Sequence, residues 1–408
     1  DYYKKDELIA TITTDETGIA KLSDLPLGKY YVKEKETAEG YVLDGEIREI
    51  DLSYVDQDTV EVTWSGDWQN NRQKAEVSVL KKEKDTDRVL EGAVFALSAK
   101  EDITNKDGDV ILEAGTVIEE KATGEDGKLT FEADLPIGFS YTVKETSPAP
   151  GFATTDEVQE FIFTAESSEK ATVSYEFIFE DEPTVFEFTK TSLTDGKEVE
   201  GAKLTVTDEN GEVVDEWVSG KEPHIIKELV VGQTYTMTEV LPAPGYVTAE
   251  SIQFTVEDIA EVQKIEMKDD VTKVEISKTD IAGEELPGAK LTILDENGEV
   301  VESWTSTEEP HYIEMLPIGK YTLHEESAPE GYLVAEDVAF EVKDTGEIQK
   351  VIMKDEAEPK ETPETPQDTT SVDAPQTGDH TNILLWSALF GLGLCGSVVA
   401  VVLRRKRK

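Results

Sequence analysis

Apolar and polar residues alternate along most of this chain, in runs such as "KVEISKTD" from Lys273, "AKLTILDENGEVVESW" from Ala289 and "DVAFEV" from Asp337. A period of two sends successive side chains to opposite faces of a strand, so these runs predict half-buried β-strands. Turn-forming clusters separate them, among them "DENG" at Asp208 and Asp295 and "LPIG" at Leu135 and Leu316. No helical period of convincing length precedes Ile383. Short strands at regular spacing with Gly/Pro turns predict an all-β protein of small tandem sandwiches.

One segment recurs four times: "YYVKEKETAEGY" from Tyr30, "YTVKETSPAPGF" from Tyr141, "YTMTEVLPAPGY" from Tyr235 and "YTLHEESAPEGY" from Tyr321. Each places a glutamate on the face of its buried neighbours, at Glu34, Glu145, Glu239 and Glu325, always at the same distance before a glycine. A second landmark, "LEGAVFAL" at Leu90, "VEGAKLTV" at Val199 and "LPGAKLTI" at Leu286, marks the start of three of the units. The spacing predicts one sandwich per glutamate. The expected units are 1–71, truncated because too few residues precede Glu34, then 72–183, 184–271 and 272–356. Asp1 lacks an initiator Met and an apolar leader follows nowhere, so a mature or truncated product is expected.

Beyond Glu356 the pattern stops. Residues 357–380 are rich in Pro, Thr and acid and read as an extended spacer without a packed core. Residues 381–403 hold an uncharged, mostly apolar run from Ile383 to Leu403, long enough for a transmembrane helix, and the basic tail "RRKRK" fills 404–408. That order places the tail in the cytoplasm and the rest outside. Charge sharpens the picture: 89 acidic against 39 basic residues give −50, with five of the basic ones in the tail. So acidic a body disfavours nucleic acid and anionic lipid as partners. The single cysteine, Cys395, lies in the apolar run, so the sandwiches have no disulfide and some other staple is expected.

Such a staple is suggested by other residues with inward parity. Val77, Val79 and Lys81 share a face, as do Phe186, Phe188 and Lys190, and Val274, Ile276 and Lys278. At the far end of each unit Phe177, Phe179 and Asp181 align, as do Ile265, Met267 and Asp269, and Val351, Met353 and Asp355. In the first unit Trp64, Trp68 and Asn70 share parity. Burying a Lys, a Glu and an Asp costs several kcal/mol each unless they are paired. An ordinary ion-pair network would offset that cost. So would an amide, formed when Lys Nζ attacks the Asp carboxyl carbon and water leaves, with the Glu moving the protons.

The lysine strand followed by "LxGAxF/L", the "YxVKExxAPxGY" segment and the closing "MKDxxT" strand together resemble SpaA-type, collagen-adhesin B-like repeats of Gram-positive surface proteins and pilins. The resemblance covers residues 1–356. It implies prealbumin-like or immunoglobulin-like sandwiches with autocatalytic Lys–Asp or Lys–Asn isopeptide bonds. The implied sets are Lys81/Glu145/Asp181, Lys190/Glu239/Asp269 and Lys278/Glu325/Asp355, with Glu34 and Asn70 in a unit whose lysine is missing. Two departures stand out: the fourth unit is one residue short between Lys278 and Leu286, and "YTMT" precedes Glu239 without the usual charged residue. Ala374, Pro375, Gln376, Thr377 and Gly378, followed by the apolar run and basic tail, resemble a sortase sorting signal with Ala in place of Leu. That implies cleavage after Thr377 and its attachment to peptidoglycan or to a pilin lysine, with the membrane a transient partner.

These readings converge on a cell-wall-anchored surface stalk or adhesin that modifies itself without being an enzyme and uses no cofactor. A host or surface ligand would be met through an upstream region. The alternatives are a sortase-polymerised pilus subunit, or a membrane-tethered protein presenting an upstream enzymatic or ligand-binding domain. Other features lead nowhere. His224 and His311 repeat within "EPH", His324 faces away from Glu325, and no metal set is expected. "NKDGD" at Asn105 lacks the terminal Glu of a calcium loop and reads as a turn.

Overall fold

A computed structural model of the chain describes residues 2–359. The expected membrane span, the basic tail and the segment Ala374–Gly378 lie outside the described residues. Within them every regular element is a strand, and no helix is long and apolar enough to cross a membrane.

The second, third and fourth repeats follow one plan. Each opens with a lysine strand, Lys74–Glu83, Val185–Ser192 or Lys273–Asp280. It pairs in parallel with the strand that closes the same repeat, Thr172–Asp181, Gln263–Asp269 or Ile348–Asp355. A short third strand on the lysine strand's other edge, Lys128–Thr130, His224–Lys227 or His311–Glu314, completes a three-stranded sheet. The glutamate strand, Ser140–Ser147, Thr234–Leu241 or Gly319–Ser327, is an inner strand of the facing four-stranded antiparallel sheet. Parallel neighbours require a crossover, and here the crossover is the whole repeat.

The core fills the space between the two sheets. In the second repeat Val77, Val79 and Phe179 pack on Phe95, Tyr141 and Val143. In the third, Phe186, Phe188 and Met267 meet Leu204, Tyr235 and Met237. In the fourth, Val274, Ile276 and Met353 meet Leu291, Tyr321 and Leu323. Full burial of each such side chain contributes about 1.5–3 kcal/mol, which is what fixes the strand register. The predicted turns close as their composition suggests: Asp208 Oδ1 accepts from the N–H groups of Asn210 and Glu212 at 2.9 and 2.8 Å. Asn105 closes its own turn the same way, accepting from the N–H groups of Asp107 and Asp109 at 2.9 Å.

The first repeat is sparser. Gly28–Lys33 pairs antiparallel with Ile47–Leu52, and Leu52 is the one buried apolar side chain described before Val77. The alternation through Trp64, Trp68 and Asn70 predicts a strand, yet residues 61–71 form none. In the second to fourth repeats the closing strand is held by the lysine strand beside it, and among the described residues no strand pairs with 61–71.

Candidate functional site

Register brings the three predicted side chains of each repeat to one point. Lys81 lies opposite Phe179 in the parallel pair, so Asp181, two residues on, shares its inward face. Lys190 opposite Met267 and Lys278 opposite Met353 repeat the arrangement with Asp269 and Asp355. The glutamate comes from the other sheet, where Glu145, Glu239 and Glu325 sit opposite Phe95, Leu204 and Leu291 of the "GAxF/L" strand. Immediately after each glutamate the register shifts, leaving Thr146, Val240 or Glu326 as the extra residue. Such a bulge re-aims the strand, so the glutamate can point inward while the next residue turns to solvent.

All nine groups are sealed from water, none more than 4% exposed. Lys81 Nζ donates to Asp181 Oδ1, Lys190 Nζ to Asp269 Oδ1 and Lys278 Nζ to Asp355 Oδ1. The same three amines lie 3.0, 3.1 and 2.9 Å from Oε1 of Glu145, Glu239 and Glu325. The other glutamate oxygen, Oε2, accepts from a backbone N–H ten residues on: Thr155 at 2.9 Å, Ala249 at 2.6 Å and Ala335 at 2.6 Å. Sequence reasoning missed this anchor because a backbone donor has no residue-type signature.

Burial is the leading electrostatic influence on the carboxyls. It pushes Glu145 up to about 7 against the opposing pull of Lys81, with the Asp181 charge adding to the rise. It pushes Asp269 up to about 6, again against Lys190, and raises Asp181 and Asp355 as well. In every complete repeat the same two atoms lack a hydrogen-bond partner: the glutamate Oε1 and the aspartate Oδ2. The lysine is close to Oε1 but not aligned to donate to it. A proton retained on either carboxyl supplies the donor these atoms lack, and the raised pKa values favour keeping one. The lysine amine therefore abuts a carboxyl inclined to be neutral, in a site closed to water.

The first repeat carries the same pieces without the amine. Asn70 Nδ2 donates to Glu34 Oε2 at 2.7 Å and to the Val42 carbonyl at 2.9 Å, and Glu34 Oε2 also accepts from the N–H of Asp44, ten residues on, at 2.7 Å. Both side chains are only partly buried. The histidines stay apart from the site. His224 and His311 stack on Trp217 and Trp304 at 4.3 Å, closing one edge of their sandwiches, and His324 pairs with Asp337 at the surface. Among the described residues no group of three or more His, Cys, Asp or Glu side chains could hold a metal ion.

Compared with known protein families, residues 2–68, 75–176, 184–271 and 272–357 each match the SpaA prealbumin-like fold domain. The chain belongs to the SpaA family. Its four SpaA repeats account for nearly all of the described residues. Among solved structures, the Bacillus anthracis TIE protein is similar at 27% identity and a TM-score of 0.38 over 70% of this chain. The chain spans about half, 52%, of that structure. The major pilin SpaD of Corynebacterium diphtheriae is 15% identical, with a TM-score of 0.35 over 69% of this chain and 97% of its own. BcpA, the major pilin subunit of Bacillus cereus, is 14% identical, with a TM-score of 0.31 over 70% of this chain and all of its own. No curated protein matches. The family assignment rests on the four repeat matches.

Proposed function

We propose that the second, third and fourth repeats close themselves covalently and that the chain serves as a surface stalk. The observation that carries this reading is the sealed Lys–Glu–Asp set present in the same geometry three times. In each, lysine Nζ attacks the aspartate carboxyl carbon. A C–N bond forms, one C–O bond breaks, and the departing oxygen leaves as water with two protons that began on the ammonium. The glutamate carries those protons, held in place by its backbone N–H and by the bulge that follows it. Water exclusion favours the neutral amine and acid over the ion pair and removes the competing solvation of the product.

The bond joins the first strand of a repeat to its last, and these are the strands through which tension along the chain enters. A covalent tie there resists pulling and proteolysis in a protein whose sandwiches contain no cysteine. Attachment follows from the tail. Thr377 is the acyl donor to a sortase, the apolar run and "RRKRK" hold the precursor at the membrane, and the wall-linked product stands on a Gram-positive surface. No turnover of an external substrate is involved.

Tryptic mapping of the recombinant chain tests the chemistry. The reading predicts three branched peptides, joining Lys81 to Asp181, Lys190 to Asp269 and Lys278 to Asp355. Linear peptides carrying these lysines unmodified would overturn it.

A further inference from the structure

We infer that consecutive repeats are locked at a fixed rotation by a backbone clamp, so that repeats two to four behave as one stiff body. This goes beyond the covalent tie within each repeat. At the joint between the second and third repeats, Thr184, the first residue of the third, donates its N–H across to the Gly151 carbonyl at 2.9 Å, while its own carbonyl accepts from Glu228 N–H at 3.0 Å and so ties the crossing point to the third repeat. The Thr184 hydroxyl donates to the Leu229 carbonyl at 2.7 Å. Between the third and fourth, Thr272 repeats every contact: to Gly245 at 3.0 Å, from Met315 at 3.0 Å, and through its hydroxyl to Leu316 at 2.6 Å. Both threonines are fully buried.

The glycines admit the next repeat's backbone. A Cβ on Gly151 would sit 2.8 Å from Glu228 Cβ, and one on Gly245 would sit 2.5 Å from the Met315 carbonyl oxygen. Glu228 and Met315 themselves adopt positive φ, 63° and 64°, which few side-chain-bearing residues tolerate. Two joints thus place the same strained residue against the same bare backbone. A second point of attachment fixes the rotation: Thr154 donates through its N–H and hydroxyl to Asp258 at 2.7 Å, and Thr248 N–H donates to Asp344 at 2.8 Å. The joint before the second repeat is built differently. There Gln73 N–H keeps the bond to the preceding repeat, donating to the Gly40 carbonyl at 2.8 Å. But Gln73 replaces the threonine, its side chain donates to the carbonyls of Ser167 and Lys170, and a Cβ on Gly40 would approach only the Ile137 side chain, at 3.2 Å, and no backbone.

Gly331 provides an internal control. It shares the positive φ, 87°, but a Cβ there meets nothing within 4 Å. The test is a pulsed electron-spin distance measurement on the full chain in detergent, with Cys395→Ser and spin labels on cysteines replacing the exposed turn residues Asn210 and Asn297. One narrow distance peak is expected for the parent and for Gly331→Ala, and loss of that peak to a broad distribution for Gly245→Ala. Thr272→Val, which leaves the backbone unconstrained by any new Cβ, should also broaden the peak. Far-ultraviolet dichroism identical to the parent shows that the repeats remain folded. A broad distribution in the parent, or a peak left narrow by both Gly245→Ala and Thr272→Val, overturns the clamp. The distances are read whether or not isopeptide bonds form, so failure of the covalent reading leaves this test intact.

Discussion

Lys278 and Asp355 lie 77 residues apart in sequence, yet they meet on the inner face of two parallel strands, sealed between the sheets of one repeat. As an ion pair, that contact would add little, because the desolvation of two buried charges offsets most of their attraction. As an amide, it would close a loop of roughly 80 residues and stabilise the repeat by about 4–5 kcal/mol through the unfolded state. The three repeats share this geometry, so the predictions for one carry over to the others.

Glu145→Ala should leave Lys81 and Asp181 unlinked while the other two repeats close normally. The intact mass of this variant should then fall two waters below its sequence mass rather than three. A deficit of three waters would show that Glu145 does not carry the protons.

Lys190→Met removes the amine and leaves Asp269 and Glu239 buried without a counter-charge. The third repeat should lose about 3–5 kcal/mol from the uncompensated carboxyls, in addition to the lost cross-link. Calorimetry should show one early transition separated from the rest. A single unchanged transition would mean that these groups are not energetically coupled.

The same variant has a defined pH dependence. With Lys190 present, Asp269 already sits at about 6 instead of 3.8, and Lys190 is what holds it down. Removing it leaves burial and Glu239, which both raise the carboxyl. A folded pKa above the unfolded one means that the folded state binds more protons in that window, so stability is present at low pH and lost as pH rises. The third repeat of Lys190→Met should therefore be more stable near pH 3.8, where this contribution is present, than at neutral pH, where most of it is lost, by on the order of 3 kcal/mol. The opposite trend would contradict the assignment of Asp269 as a carboxyl kept neutral by burial.

Thr377→Ala separates sorting from simple tethering. The parent protein should be released from cells by muralytic digestion and should lack Cys395. The variant should fractionate with membranes and keep its tail. Release of the parent by detergent alone, tail intact, would show that Ala374 has spoiled the sorting signal.

Much of the site was legible in the sequence because side-chain parity survives in short strands. Lys81, Glu145 and Asp181 each follow two apolar residues of their own face, and the sandwich brings those faces together. What parity could not show was made by the backbone. The bulge residues Thr146, Val240 and Glu326 share no chemistry, and the N–H groups of Thr155, Ala249 and Ala335 serve as donors regardless of side chain. The clamp at Thr184 and Thr272 was hidden for the same reason. In the first repeat parity singled out Asn70, whose amide donates to Glu34, but also predicted a strand where residues 61–71 form none.

The most direct test is the intact mass of the folded recombinant chain, made without any sortase. The account predicts a mass three waters below that of the sequence, one for each complete repeat, stable to boiling in denaturant. A folded protein with the full sequence mass would contradict it.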